Sequence, residues 1–67
     1  MALSYEFLIE RAEQSASEAA GALLDNVRDR ALRAEKAWRT MATDLREVAE
    51  GRERARLERL AAAVATT

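Results

Sequence analysis

Ala19-Ala20-Gly21-Ala22-Leu23-Leu24-Asp25-Asn26-Val27 is the stretch on which the fold depends. It holds one of only two glycines, Gly21 and Gly51, in a 67-residue chain with no proline. Almost everything else is strong helix former, with alanine, arginine, glutamate and leucine dominant. Gly21 follows a helical pattern and so reads as a C-terminal glycine, where a left-handed backbone is cheap for a residue without Cβ. Asp25 or Asn26 is placed to cap a second helix, and Asn26 with Asp29 is a capping-box analogue. A link of about five residues makes the two helices antiparallel neighbours.

Upstream of the link, Tyr5, Leu8, Ile9, Ala12, Ala16, Ala19, Ala20 and Leu23 recur at helical spacing and form one face. Ser4 is the expected N-cap, with Leu3 and Leu8 as a hydrophobic staple and Glu6 in the first turn, where the helix dipole favours an acid. Phe7 falls opposite this stripe and is expected to be exposed or to meet another chain.

Downstream, Val27, Ala31, Ala34, Trp38, Met41, Leu45 and Val48 alternate steps of four and three, the pattern of a coiled-coil seam. Acid-first pairs Asp29–Arg33, Glu35–Arg39 and Glu50–Arg54 support the same helix. Past Gly51 this frame fails. Leu57, Leu60, Ala61 and Val64 lie on a stripe turned by about 100° from the seam. A glycine inside a helix costs only ~1 kcal/mol against alanine, and no other breaker stands near Gly51. The expectation is therefore an all-α antiparallel hairpin with helices over about 4–20 and 26–63. The alternative is a three-helix arrangement broken at Gly51. Ala65, Thr66 and Thr67 are expected to fray, and residues 1–67 form a single helical domain.

Antiparallel pairing places Tyr5 and Leu8 beside Met41 and Leu45, and Ala12 opposite Trp38, small against large. The expected core seam is Tyr5, Leu8, Ala12, Val27, Trp38, Met41, Leu45 and Val48. About half of the long helix would overhang. Phe7, Leu24, Leu32, Leu57, Leu60 and Val64 then lack an intrachain partner and are the interface candidates. That surplus of apolar surface, on a chain too short to bury a large core, predicts a homodimeric bundle or higher oligomer.

Composition argues against most chemistry. The chain has no cysteine and no histidine, which removes disulfides, thiolate metal sites and the commonest general acid or base. Glu6, Glu10 and Glu13 share a helical flank but have no loop carbonyls or histidine beside them. The glycines are thirty residues apart, so no phosphate-cradling loop exists. No catalytic residue, cofactor or metal is expected, and the chain reads as a non-enzyme. The N-terminus lacks a basic leader region and the longest apolar run is far short of the ~20 residues that span a bilayer, so a cytoplasmic location is expected.

Net charge is −1 but unevenly spread, with the first 25 residues acidic and the rest basic. Arg28, Arg33, Arg39 and Arg46 lie along the second helix and are the candidates for nucleic-acid contact. Acids interleave with them throughout, and phosphate binding needs excess positive charge, so nucleic acid is a disfavoured partner. Residues 24–38, Leu24-Asp25-Asn26-Val27-Arg28-Asp29-Arg30-Ala31-Leu32-Arg33-Ala34-Glu35-Lys36-Ala37-Trp38, resemble a segment that recurs in short, predicted-helical bacterial proteins without assigned activity. The resemblance implies a bacterial origin and carries over no site residue.

Three functions fit these features. The first is a self-associating interaction or scaffold protein. The second is a small regulator of nucleic acid or nucleoprotein acting through the arginines of the second helix. The third is an inhibitor or accessory subunit of one larger protein, docking through Leu57, Leu60 and Val64.

Overall fold

A computed structural model describes residues 3–66; Met1, Ala2 and Thr67, which carry part of the leader and fraying expectations, lie outside the described residues. Two helices account for the fold: α1, Tyr5–Gly21, and α2, Asp25–Ala65. They pack as an antiparallel hairpin with a long second arm.

The start of α1 follows from its sequence. Ser4 has an extended backbone (φ −100°, ψ 157°), and its Oγ accepts a hydrogen bond from the Phe7 N–H at 3.1 Å. One of the four donors that a helix N-terminus leaves orphaned is thereby satisfied, a contribution of about 1 kcal/mol. Leu3 and Leu8 border one hollow, as a staple requires.

The end of α1 is built differently from the expectation. No glycine among the described residues has positive φ. Gly21 is the last helical residue, and the chain leaves through Ala22, which is extended (φ −74°, ψ 132°) and donates its N–H to the Ala19 carbonyl at 3.3 Å. The turn therefore needs no left-handed residue, and a Cβ at Gly21 would meet nothing within 4 Å. Gly21→Ala is expected to stabilise the hairpin by about 0.5–1 kcal/mol, by restricting the unfolded chain. A raised midpoint in thermal or urea unfolding would show it. A loss of similar size would mean that Gly21 is left-handed after all.

Neither Asp25 nor Asn26 caps α2. The cap is Leu24, extended (φ −105°, ψ 137°) and without a side-chain hydrogen bond. Asp25 is already the first helical residue. There its carboxylate lies at the positive end of the helix dipole and pairs with Arg28 one turn on. These local gains compete directly with a capping role.

α2 runs unbroken through Gly51 for 41 residues, about 61 Å at 1.5 Å per residue. This overturns the three-helix alternative. Thr66 closes the helix, donating its N–H to the Ala62 carbonyl and its hydroxyl to the Ala63 carbonyl, so the helix holds through Ala65 rather than ending near 63. Among the described residues no helix is long and apolar enough to cross a membrane.

The core is narrow and made mostly of small residues. Leu8, Ala12, Ser15 and Ala19 are its α1 side, with Leu8 2% and Ala12 0% exposed. On α2 the buried residues are Ala31 and Ala42, with Ala34, Glu35 and Trp38 half-buried between them. Alanines at the contact let the two backbones approach closely. No buried side-chain polar atom among the described residues lacks a partner.

Candidate functional site

The hairpin register is set by three side-chain contacts near the open end. Phe7 meets the Trp38 ring edge-on, centroids 6.2 Å apart at 89°. The Arg11 guanidinium lies over the same indole, 5.3 Å from its centroid. Arg46 lies over the Tyr5 ring at 5.3 Å and donates to the Tyr5 hydroxyl at 3.3 Å. Trp38 is thus held by an edge-to-face aromatic pair and a cation, each worth roughly 0.5–1.5 kcal/mol. This register sets Trp38 against Phe7 and Arg11, close to the expected alignment with Ala12.

Phe7 is 42% exposed, as expected, and the edge of its ring also reaches Trp38 of its own hairpin. Its expected place opposite the core came from a stripe that included Tyr5, Ile9 and Ala16. The residues that are buried lie about 40° nearer Phe7 around the helix, which brings its ring within reach of a long indole.

The core line on α2 is rotated in a similar way. Val27, Met41, Leu45 and Val48, four members of the expected seam, remain 38–51% exposed. The core line runs through Ala31 and Trp38, both on the expected stripe, and through Glu35 and Ala42; Ala31 and Ala42 are buried and the other two half-buried. Met41, Leu45 and Val48 border a shallow hollow with Leu3, Leu8 and Arg52 on one flank of the hairpin. Glu35 occupies the core line through its aliphatic stem while its carboxylate accepts from Arg39 Nε at 2.8 Å.

The buried line also explains the arm beyond α1. Ala31, Glu35, Trp38 and Ala42 are spaced four, three and four. The same eleven-residue rhythm, continued, reaches Arg46, Ala49, Glu53, and then Leu57, Leu60 and Val64. An eleven-residue repeat drifts by only about 20° per repeat on a straight helix. The apolar stripe does not change sides at Gly51: it continues the line that α1 covers, with a polar interval between. α1 begins beside Arg46, so close to half of α2 overhangs, as expected; its outer part, the arm of residues 52–65, carries Leu57 and Leu60, each 51% exposed, and Val64, 75% exposed.

Charge is distributed unevenly between the elements. α1 carries Glu6, Glu10, Glu13 and Glu18 against Arg11. Among the described residues the ion pairs are Arg28–Asp25, Arg39–Glu35, Arg46–Glu50 (3.8 Å) and Arg56–Glu53 (2.6 Å), all within α2. Of the three expected acid-first pairs only Glu35–Arg39 forms; Glu50 turns back to Arg46. Among the described residues the four acids of α1 have no cationic partner, and no group of three or more acidic side chains converges on a point that could hold a metal ion. Of the arginines considered for nucleic acid, Arg28, Arg39 and Arg46 are each engaged with a carboxylate, and Arg33 alone is not.

Arg56 holds the Glu53 carboxyl below its ordinary pKa through hydrogen bonds at 2.6 and 3.1 Å. A carboxyl depressed in the folded state stabilises above its unfolded pKa, near 4.5, and that contribution is lost as pH falls through the folded value. Acidification below the ordinary carboxylate range is expected to loosen the arm around Glu53. In Glu53→Gln that local response should vanish; amide exchange resolved along residues 50–60 would show both.

Leu24 and Leu32 are exposed at 63% and 47%, and both lie away from the core line. Sequence reading missed Ser15, Glu35 and Ala42 as contact residues. Serine and glutamate are scored as polar, and one alanine among many carries little signal. The chain matches no family model, no curated protein and no solved structure.

Proposed function

We propose that this protein is a self-associating helical scaffold, working through contact surfaces rather than catalysis. The observation that carries the reading is the arm of α2. It projects past the end of α1, bears Leu57, Leu60 and Val64 on one face, and has that face exposed in the single chain. A helix without tertiary cover depends on propensity alone, which is marginal in water for segments of this length. An apolar stripe in line with a buried one is instead what an assembly would use.

The exposed Met41, Leu45 and Val48 add to the surplus near the base of the arm. Sedimentation equilibrium or light scattering across micromolar concentrations tests the reading. Dimer or higher mass is expected, and a strict monomer at about 100 μM, a weak-binding limit of roughly 5 kcal/mol, would overturn it. Serine at Leu57 and Leu60 together should reduce the mass without removing the hairpin's helical signal.

A further inference from the structure

We infer that the occupant of the arm is the first helix of a second copy, lying in line with the arm's own α1. This deepens the self-association reading and rests on it. Three independent features of the chain meet in this arrangement.

The first is length. α1 has 17 residues and α2 has 41, about 25 Å and 61 Å. One α2 is long enough to carry two α1 helices end to end with a short gap. The second is the line of contact. The stripe on the arm continues the row that α1 covers, so whatever lies on Leu57 and Leu60 is collinear with α1.

The third is charge. α1 is net negative, and none of its acids is paired among the described residues. The arm carries Arg52, Arg54, Arg56 and Arg59 against Glu53 and Glu58, and is net positive. Among the described residues Arg52 and Arg59 form no ion pair, while Arg56 holds Glu53. An arm resting on another arm would bring like charges together; an arm resting on α1 brings opposite ones.

The order of residues agrees as well. Within one chain α1 is antiparallel to α2. A two-fold axis near Val48 sets the two long helices antiparallel, so the partner's α1 runs parallel to the arm. The partner's Glu6, Glu10 and Glu13 then follow Arg52, Arg56 and Arg59 in the same direction with the same steps of four and three. Glu6, Glu10 and Glu13 lie on the outer side of α1, away from its own α2. In the dimer both first helices are enclosed between the two long ones. The arginine stems and the partner's α1 together cover Leu57 and Leu60. Because the outer face of α1 is charged, the contact is salt-sensitive.

The chain has no cysteine, so a directed cross-link tests the geometry cleanly. In one chain positions 13 and 59 are about 30 Å apart, too far to bridge. Glu13→Cys combined with Arg59→Cys is expected to give a covalent dimer on mild oxidation. Leu60→Cys alone should not, since the two arms do not face each other. Arg52→Glu with Arg59→Glu should weaken dimerisation by about tenfold or more, as should Glu6→Arg with Glu13→Arg, because each sets like charges together. The four changes combined should restore it, with circular dichroism confirming helix content throughout. A dimer that is indifferent to charge reversal, or that cross-links through Leu60→Cys, overturns this arrangement and leaves self-association standing. A monomer at every concentration overturns both.

Discussion

Leu8→Ala is expected to abolish cooperative unfolding of the hairpin at room temperature. Among the described residues Leu8 is the one large side chain that is fully buried, 2% exposed, and the other buried residues are alanines and a serine. Truncating a buried leucine removes its transfer free energy and leaves a cavity, together about 2–5 kcal/mol. A 67-residue chain has a net stability of only about 3–10 kcal/mol at 0.05–0.15 kcal/mol per residue. The loss is thus comparable with the whole. Circular dichroism during a urea titration reads it: a broad, non-cooperative decline is expected. Ala20→Val, at an exposed position of the same helix, should instead melt within about 0.5 kcal/mol of the parent. A sharp transition for Leu8→Ala at the parental midpoint would show that the hairpin does not depend on this contact.

Ala12→Leu acts in the opposite sense and with the next largest effect. Ala12 is 0% exposed, and Ala42 is also buried at 1% on the facing helix; the neighbouring Arg11 lies over the Trp38 ring. Three further carbon atoms cannot fit there without separating the helices or turning the indole. Overpacking of a tight core costs about 1–3 kcal/mol. Any displacement of Trp38 also weakens its contacts with Phe7 and Arg11. A red shift in tryptophan emission together with a lowered unfolding midpoint is the expected signature. Because the chain has a single tryptophan, the emission reports this contact alone. Unchanged emission and midpoint would mean that Ala12 has room beside it.

Much of this fold was legible in the sequence. The hairpin follows from the break after Gly21, at 22–24, and the register was approximated by setting Trp38 opposite Ala12, although its ring meets Phe7 and Arg11. Continuity through Gly51 follows from the absence of any second breaker. The rotation of each helix was harder to read. Alanine fits a core or a surface equally well, and sixteen alanines blur the phase of both stripes. On α1 the polar Ser15 belongs to the core line while the apolar Ile9 stands at its edge. On α2 Glu35 sits in the line and Met41 beside it. Composition-based phase was therefore in error by a fraction of a turn, enough to miss the contact of the exposed Phe7 with Trp38 and to suggest a change of face at Gly51. Ser4 caps α1 as expected, but the expected cap of α2 failed for a different reason. Asp25 has two uses, cap or first-turn acid paired to Arg28, and the chain takes the second.

The arm's chemistry was legible only as residue types. Leu57, Leu60 and the neighbouring arginines are plain in the sequence, but their alignment with the buried line appears only once Ala31, Glu35, Trp38 and Ala42 are known to be that line.

The unequal lengths of the two helices also govern how the molecule moves through water. Its dimensions are 66 × 20 × 15 Å and its radius of gyration is 18.5 Å, against about 11 Å for a compact chain of this length. Drag on such a rod is set chiefly by its long dimension. A single chain should elute from a sizing column well ahead of a sphere of equal mass. A dimer with both short helices enclosed between the long ones would thicken the rod while lengthening it little. Mass would double with only a modest rise in friction, so sedimentation velocity should show a large gain in sedimentation coefficient beside a small change in diffusion.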